Sequence, residues 1–162
     1  MIELEPTLRL LFGQQVEFVI IGGFAMNLHG SAHVTFDLDV CYERSRANLK
    51  RIAAALAPYH PRPRGFPEDL PFIWDEQTLQ HGTNFTLITD FGDIDLLGEV
   101  SGLGNYEAVL AASIVMPLYG FDCRVLSLDA LIIAKRAAGR VKDLMALPEL
   151  EALREVTQKS ED

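Results

Sequence analysis

Two rhythms of hydrophobic and polar positions run along the chain. Short apolar runs rich in Val, Ile, Leu and Phe predict strands over Val16–Ile21, Thr35–Cys41, Asn84–Thr89, Asp93–Leu97, Ile114–Leu118 and Phe121–Leu126. Between them, apolar residues recur at helical spacing over Glu5–Gln15, Phe24–His29, Arg46–Ala57 and Asn105–Ala112. Asp90-Phe91-Gly92 and Tyr119-Gly120 join neighbouring runs as hairpin turns. Pro58–Pro71 holds five of the eight prolines together with Arg62 and Arg64, and reads as a loop. Ser127 is a helix N-cap that opens a helical tail over 127–157: first Leu128–Ala138, then an interruption at Gly139, then Val141–Ala146 and Pro148–Val156. Gln158–Asp162 is expected to fray. The order predicts an α/β (α+β) fold, a mixed sheet of about five strands flanked by helices. At 162 residues the whole of 1–162 is expected to form a single domain.

Composition narrows the function. Nearly half the residues are hydrophobic (49%), enough for a core without disulfides or a structural metal. The two cysteines, Cys41 and Cys123, have no metal-ligand spacing and read as reduced core thiols of a cytoplasmic protein. No apolar stretch suits a membrane span, and Met-Ile-Glu-Leu-Glu-Pro lacks the basic start of a secretory leader. The formal net charge of −9 argues against a general nucleic-acid-binding surface. No nucleophile elbow, Walker loop, dinucleotide fingerprint or zinc-finger spacing occurs.

The informative chemistry lies in aspartates. Asp37 and Asp39 alternate with Phe36, Leu38 and Val40. A strand sends alternate side chains to opposite faces, so the apolar set is expected to face a core and both carboxylates the other side. Like charges held so close call for a divalent cation with hard oxygen ligands. A third carboxylate is available in Gly92-Asp93-Ile94-Asp95-Leu96-Leu97, where Asp93 and Asp95 share a face. Asp95 is favoured because it lies deeper in the apolar run, whereas Asp93 lies near the turn. Gly22-Gly23, just upstream, permits a sharp turn and a close backbone approach.

Gly22-Gly23, then Asp37-x-Asp39, then a later strand aspartate resembles the nucleotidyltransferase superfamily related to DNA polymerase beta. The stretch from Gly22 to Gly30, followed by Thr35-x-Asp37-x-Asp39, is similar to minimal members among bacterial toxin–antitoxin proteins, including the AbiEii-like branch. The tail Leu131–Leu150, with Lys135-Arg136-Ala137-Ala138-Gly139-Arg140-Val141-Lys142-Asp143-Leu144, is similar to the same short proteins. The resemblance implies that Asp37, Asp39 and Asp95 are catalytic and bind Mg²⁺ (or Mn²⁺), with Asp95 as base toward an acceptor hydroxyl. It implies that Gly22, Gly23, His33, Lys135 and Lys142 hold a nucleoside triphosphate. An RNA or protein hydroxyl would be the acceptor, pyrophosphate would leave, and an antitoxin-like protein would be the partner. Two departures stand out: Gly23 replaces a serine common at the turn, and His33 replaces an arginine common in toxin-like relatives.

Other residues carry less. Lys135, Arg136, Arg140 and Lys142 form a basic cluster, with Arg136 and Arg140 on one face of a continuous helix, and Lys142-Asp143 as a salt pair. His29 reads as a helix-end hydrogen-bonder, and Phe72 and Trp74 as packing residues. A second class of function stays open: a catalytically silent nucleotide sensor or protein-binding module.

Overall fold

A computed structural model describes residues 1–161. In chain order the elements are α1 (Leu4–Gly13), β1 (Phe18–Ile21), α2 (Gly22–Leu28), β2 (Leu38–Tyr42), α3 (Arg46–Leu56), β3 (Arg62–Pro63), α4 (Glu76–Gln80), β4 (Asn84–Thr89) and β5 (Gly92–Leu97). There follow β6 (Glu99–Val100), β7 (Gly104–Asn105), α5 (Tyr106–Ala111), β8 (Ser113–Leu118), β9 (Phe121–Leu126), α6 (Leu128–Ala138) and α7 (Val141–Glu161).

The sheet is mixed and flanked by helices, as the pattern predicts. It has seven strands in the order β3-β4-β5-β2-β1-β9-β8, not about five, and β6 and β7 form a separate small ladder. β2 runs parallel to β5, and β1 parallel to β9; the other pairs in the large sheet are antiparallel. β3 escapes a pattern reading because it is two residues long and lies in the proline-rich loop. Pro63 is tolerated there because β3 is an edge strand.

β1 is buried throughout, which suits its central place between β2 and β9. In β2 and β5, Leu38, Val40, Ile94 and Leu96 are buried, and the aspartates lie on the alternate face. One expectation fails here. Phe36 is 59% exposed, because β2 starts only at Leu38. The neighbouring strand β1 ends at Ile21, opposite Asp39, and the pairing with β5 begins only at Leu38, opposite Ile94. Its carbonyl instead accepts from the Ile2 amide at 2.9 Å.

The tail also differs in one respect. α6 stops at Gly139, whose φ of +67° is the left-handed conformation that ends helices. α7 then continues unbroken past Pro148 to Glu161. A proline disfavours helix before it, but Ala146, Leu147, Leu150 and Leu153 pack on the core and hold the helix through it. Gln158–Glu161 is helical rather than frayed, and Asp162 lies outside the described residues.

Candidate functional site

A cavity of about 660 Å³ opens on the aspartate-bearing face of the sheet. β2 and β5 form its floor, and Asp37, Asp39 and Asp95 line it. Asp39 and Asp95 are register partners across the parallel pair, so their side chains emerge side by side. Asp93 leaves the same face two residues earlier on β5.

The two glycines form the next wall. β1 ends opposite Asp39 and the chain leaves the sheet at Gly22. Gly22 has a φ of +66°, and a Cβ there would lie 2.2 Å from Asp39 Oδ2. Gly23 is packed as tightly: its Cβ would meet the Thr35 side chain at 2.7 Å and His33 Cδ2 at 3.3 Å. Both glycines are therefore required by their own chain, to admit the Asp39 carboxylate and the returning His33–Asp37 segment. Asn27 braces that segment through its side-chain amide, which donates to the Ser31 and His33 carbonyls.

α6 and the start of α7 form the opposite wall. Leu131, Ala134, Lys135 and Ala138 recur at helical spacing and face the cavity, as do Arg140, Lys142, Asp143 and Ala146. The basic residues do not form one cluster. The break at Gly139 leaves Arg140 in the connection ahead of α7, so it does not share a helix face with Arg136, which pairs outward with Glu151. The partners of buried Asp143 are Lys135 and Arg140, not Lys142. Its carboxylate accepts from Lys135 Nζ at 3.3 Å and from Arg140 Nε at 2.7 Å. Burial works against ionisation of Asp143. The hydrogen bonds from Arg140 and Lys135 overcome it and hold the group below the ordinary aspartate range.

Arg64 is the residue that pattern reading missed. It follows β3 in the proline-rich loop, and its guanidinium lies among the aspartates. Nη2 meets Asp95 Oδ1 at 2.9 Å, Nε meets Asp93 Oδ2 at 3.2 Å, and Nη1 stands 3.8 Å from Asp37 Oδ2. No signal in the chain order marks this contact, which joins residues about thirty positions apart.

Asp39 remains the strained member of the set. Burial, then the charge of Asp95 and a hydrogen bond shared with it, then the charge of Asp37, push its carboxyl up to about 7; Lys135 opposes them. Four carboxylates thus crowd this patch, with one guanidinium in contact with three of them and Asp39 left short of positive charge. Among the described residues, no three acidic, His or Cys side chains stand already closed into a metal-ligating group. The donor set itself, hard oxygens with excess negative charge at a cavity floor, suits Mg²⁺ or Mn²⁺.

The remaining singled-out residues have structural partners. His29 Nε2 lies 2.8 Å from the Leu126 carbonyl, at the end of α2. Trp74 donates to the Ala53 carbonyl, and Phe72 packs on Phe66. Cys41 and Cys123 are buried thiols. No helix among the described residues is long and apolar enough to cross a membrane.

No protein-family model and no curated protein matches this chain. Solved structures do. A proposed nucleotidyltransferase from Thermotoga maritima superposes with a TM-score of 0.52 at 16% identity, covering 98% of this chain and 96% of that one. ANT(2'')-Ia in complex with adenylyl-2''-tobramycin gives a TM-score of 0.52 at 16% identity, covering 97% and 95%. The solution structure of the antibiotic-resistance factor ANT(2'')-Ia gives 0.53 at 15%, covering 96% and 89%. The chain therefore has the fold of these nucleotidyltransferases.

Proposed function

We propose that this protein is a nucleotidyltransferase dependent on Mg²⁺ or Mn²⁺, which moves a nucleotidyl group from a nucleoside triphosphate to an RNA or protein hydroxyl. The observation that carries the reading is the meeting of Asp37, just ahead of β2, Asp39 of β2 and Asp95 of β5 on one cavity floor. The fold it shares with nucleotidyltransferases supports the same reading. So does the adenylyl product bound to one neighbour, as a precedent for a nucleotide-derived ligand on this scaffold.

In this reading Asp37, Asp39 and Asp95 hold the cation. When bound, it supplies positive charge at the phosphates and lowers the cost of charge build-up in the transition state. Gly22 and Gly23 bring backbone close to the triphosphate, and His33, Lys135 and Lys142 offset its charge. Asp95 accepts the proton of the acceptor hydroxyl as its oxygen bonds to the α-phosphorus. The bond from that phosphorus to pyrophosphate breaks with its electron pair on pyrophosphate. The finer form of the proposal is a cytoplasmic bacterial toxin paired with an antitoxin-like partner.

A second reading is a silent nucleotide-binding module. The guanidinium of Arg64 among the carboxylates favours it, since it offsets part of their charge without a metal ion. One experiment separates them. The protein is incubated with Mg²⁺, each α-labelled triphosphate and a bacterial extract of RNA and protein. Label transfer that Asp37→Ala reduces by about 10²-fold or more supports the enzyme. Nucleotide binding by calorimetry with no transfer supports the module, and equal transfer by Asp37→Ala refutes the assignment of the site.

A further inference from the structure

Arg64 is held in place by its backbone. β3 pairs with β4, placing Arg62 opposite Ile88 and Pro63 opposite Leu87. The Arg64 amide then donates to the Thr86 carbonyl at 2.8 Å. Thr86 is in turn the register partner of Asp95. The ladder therefore sets Arg64 level with the carboxylates, one strand beyond them. The loop after it is tied back, because Arg62 Nη2 donates to the carbonyls of Pro67 and Leu70. A long side chain from this station reaches across β4 to Asp93, Asp95 and Asp37.

The three contacts are not equivalent. Asp37 and Asp95 line the cavity, whereas Asp93 does not. Asp93 takes the Nε end of the guanidinium and leaves the Nη end toward the cavity. A divalent ion at Asp37, Asp39 and Asp95 would draw on two of the carboxylates, Asp37 and Asp95, that face the Nη atoms. Two cations crowded onto the same pair of carboxylates repel each other strongly.

We propose that Arg64 is the resident counter-cation of this cluster, and that a divalent ion binds by displacing its guanidinium from Asp37 and Asp95 while Asp93 retains it. Asp93 is then the tether of Arg64 and not a cation ligand. The proposal rests on the reading of Asp37, Asp39 and Asp95 as cation ligands. Arg64 is a positioning residue: it keeps the carboxylates gathered when no divalent ion is bound, and it lowers the apparent affinity for that ion.

The test is Mn²⁺ binding, followed by the electron paramagnetic resonance signal of free Mn²⁺, with thermal melts of the same metal-stripped proteins. Wild type, Arg64→Gln and Asp37→Ala are compared. Arg64→Gln is expected to melt lower than wild type in chelator, to bind Mn²⁺ about tenfold more tightly and to gain more stability from it. Asp37→Ala is expected to lose the binding. Equal or weaker binding by Arg64→Gln, with wild type binding normally, overturns the role of Arg64 and leaves the cation reading standing. Absence of Mn²⁺ binding in both proteins overturns the cation reading and the proposal with it. Should Arg64→Gln not fold, Arg64→Lys keeps the charge but loses the fork that bridges two carboxylates. It is then expected to bind Mn²⁺ more tightly than wild type, and equal binding overturns the proposal.

Discussion

At the scale of residues, Asp39 shows how a strained group writes itself into stability. Its carboxyl is pushed up to about 7 in the fold, against 3.8 as its ordinary value. The folded state therefore holds a proton more tightly than the unfolded chain between those two limits, and stability falls as pH rises through that window. Asp39→Asn removes the titration. In chelator, the variant is expected to melt higher than wild type at pH 8, with the gain vanishing near pH 4; a constant difference across that range would disprove the account. The carboxylates themselves were legible in the chain. Asp37, Asp39, Asp93 and Asp95 alternate with apolar residues, and period-two alternation reports a shared face. Arg64 was illegible, because its place depends on a two-residue edge strand and on strand order, neither of which local pattern encodes. The steric reason for Gly22 was illegible too, since it depends on how close Asp39 comes to the turn.

At the scale of elements, local chemistry predicted where helices and strands lie better than how they join. Ser127 caps α6 by accepting from the Ala130 amide, as its position implied. Both long hairpins fall where turn residues marked them. The errors came where tertiary contacts decide the matter. Thr35–Asp37 lacks a strand partner, and Pro148 sits inside a helix that core packing sustains. Gly139 is the hinge on which α6 and α7 turn toward the cavity. An added Cβ there would make only ordinary van der Waals contact, with the Arg136 carbonyl oxygen at 3.6 Å, so only the positive φ penalises a side chain. Gly139→Ala is expected to cost about 1 kcal/mol in urea unfolding, with the fold retained. A neutral result would mean that this backbone relaxes to negative φ without loss.

For the whole molecule, the order of strands was beyond the sequence, since pairing β2 with β5 and β1 with β9 requires crossovers. The site spans that long-range order: its floor is central sheet, and its far wall is the C-terminal helix pair. Asp143 links the two helices of that wall, because it binds Lys135 of α6 and Arg140 at the head of α7. The acidic floor attracts Lys135 and Arg140, and Asp143 fixes where on the wall the two cations are held. Asp143 is buried, so removing its charge leaves Lys135 facing the cavity without its partner. Asp143→Asn is expected to cost about 2 kcal/mol at pH 7, less than a fully buried pair because Arg140 is largely exposed. The sign with pH is opposite to that of Asp39. Asp143 titrates below its ordinary value in the fold, so its stabilising effect is complete above about 4 and is lost as pH falls further. Melts of wild type and Asp143→Asn should therefore hold a steady gap near neutrality and converge as pH falls below about 4. If the gap instead stayed constant, the carboxylate would be acting by shape alone, and the cationic wall would not depend on its charge.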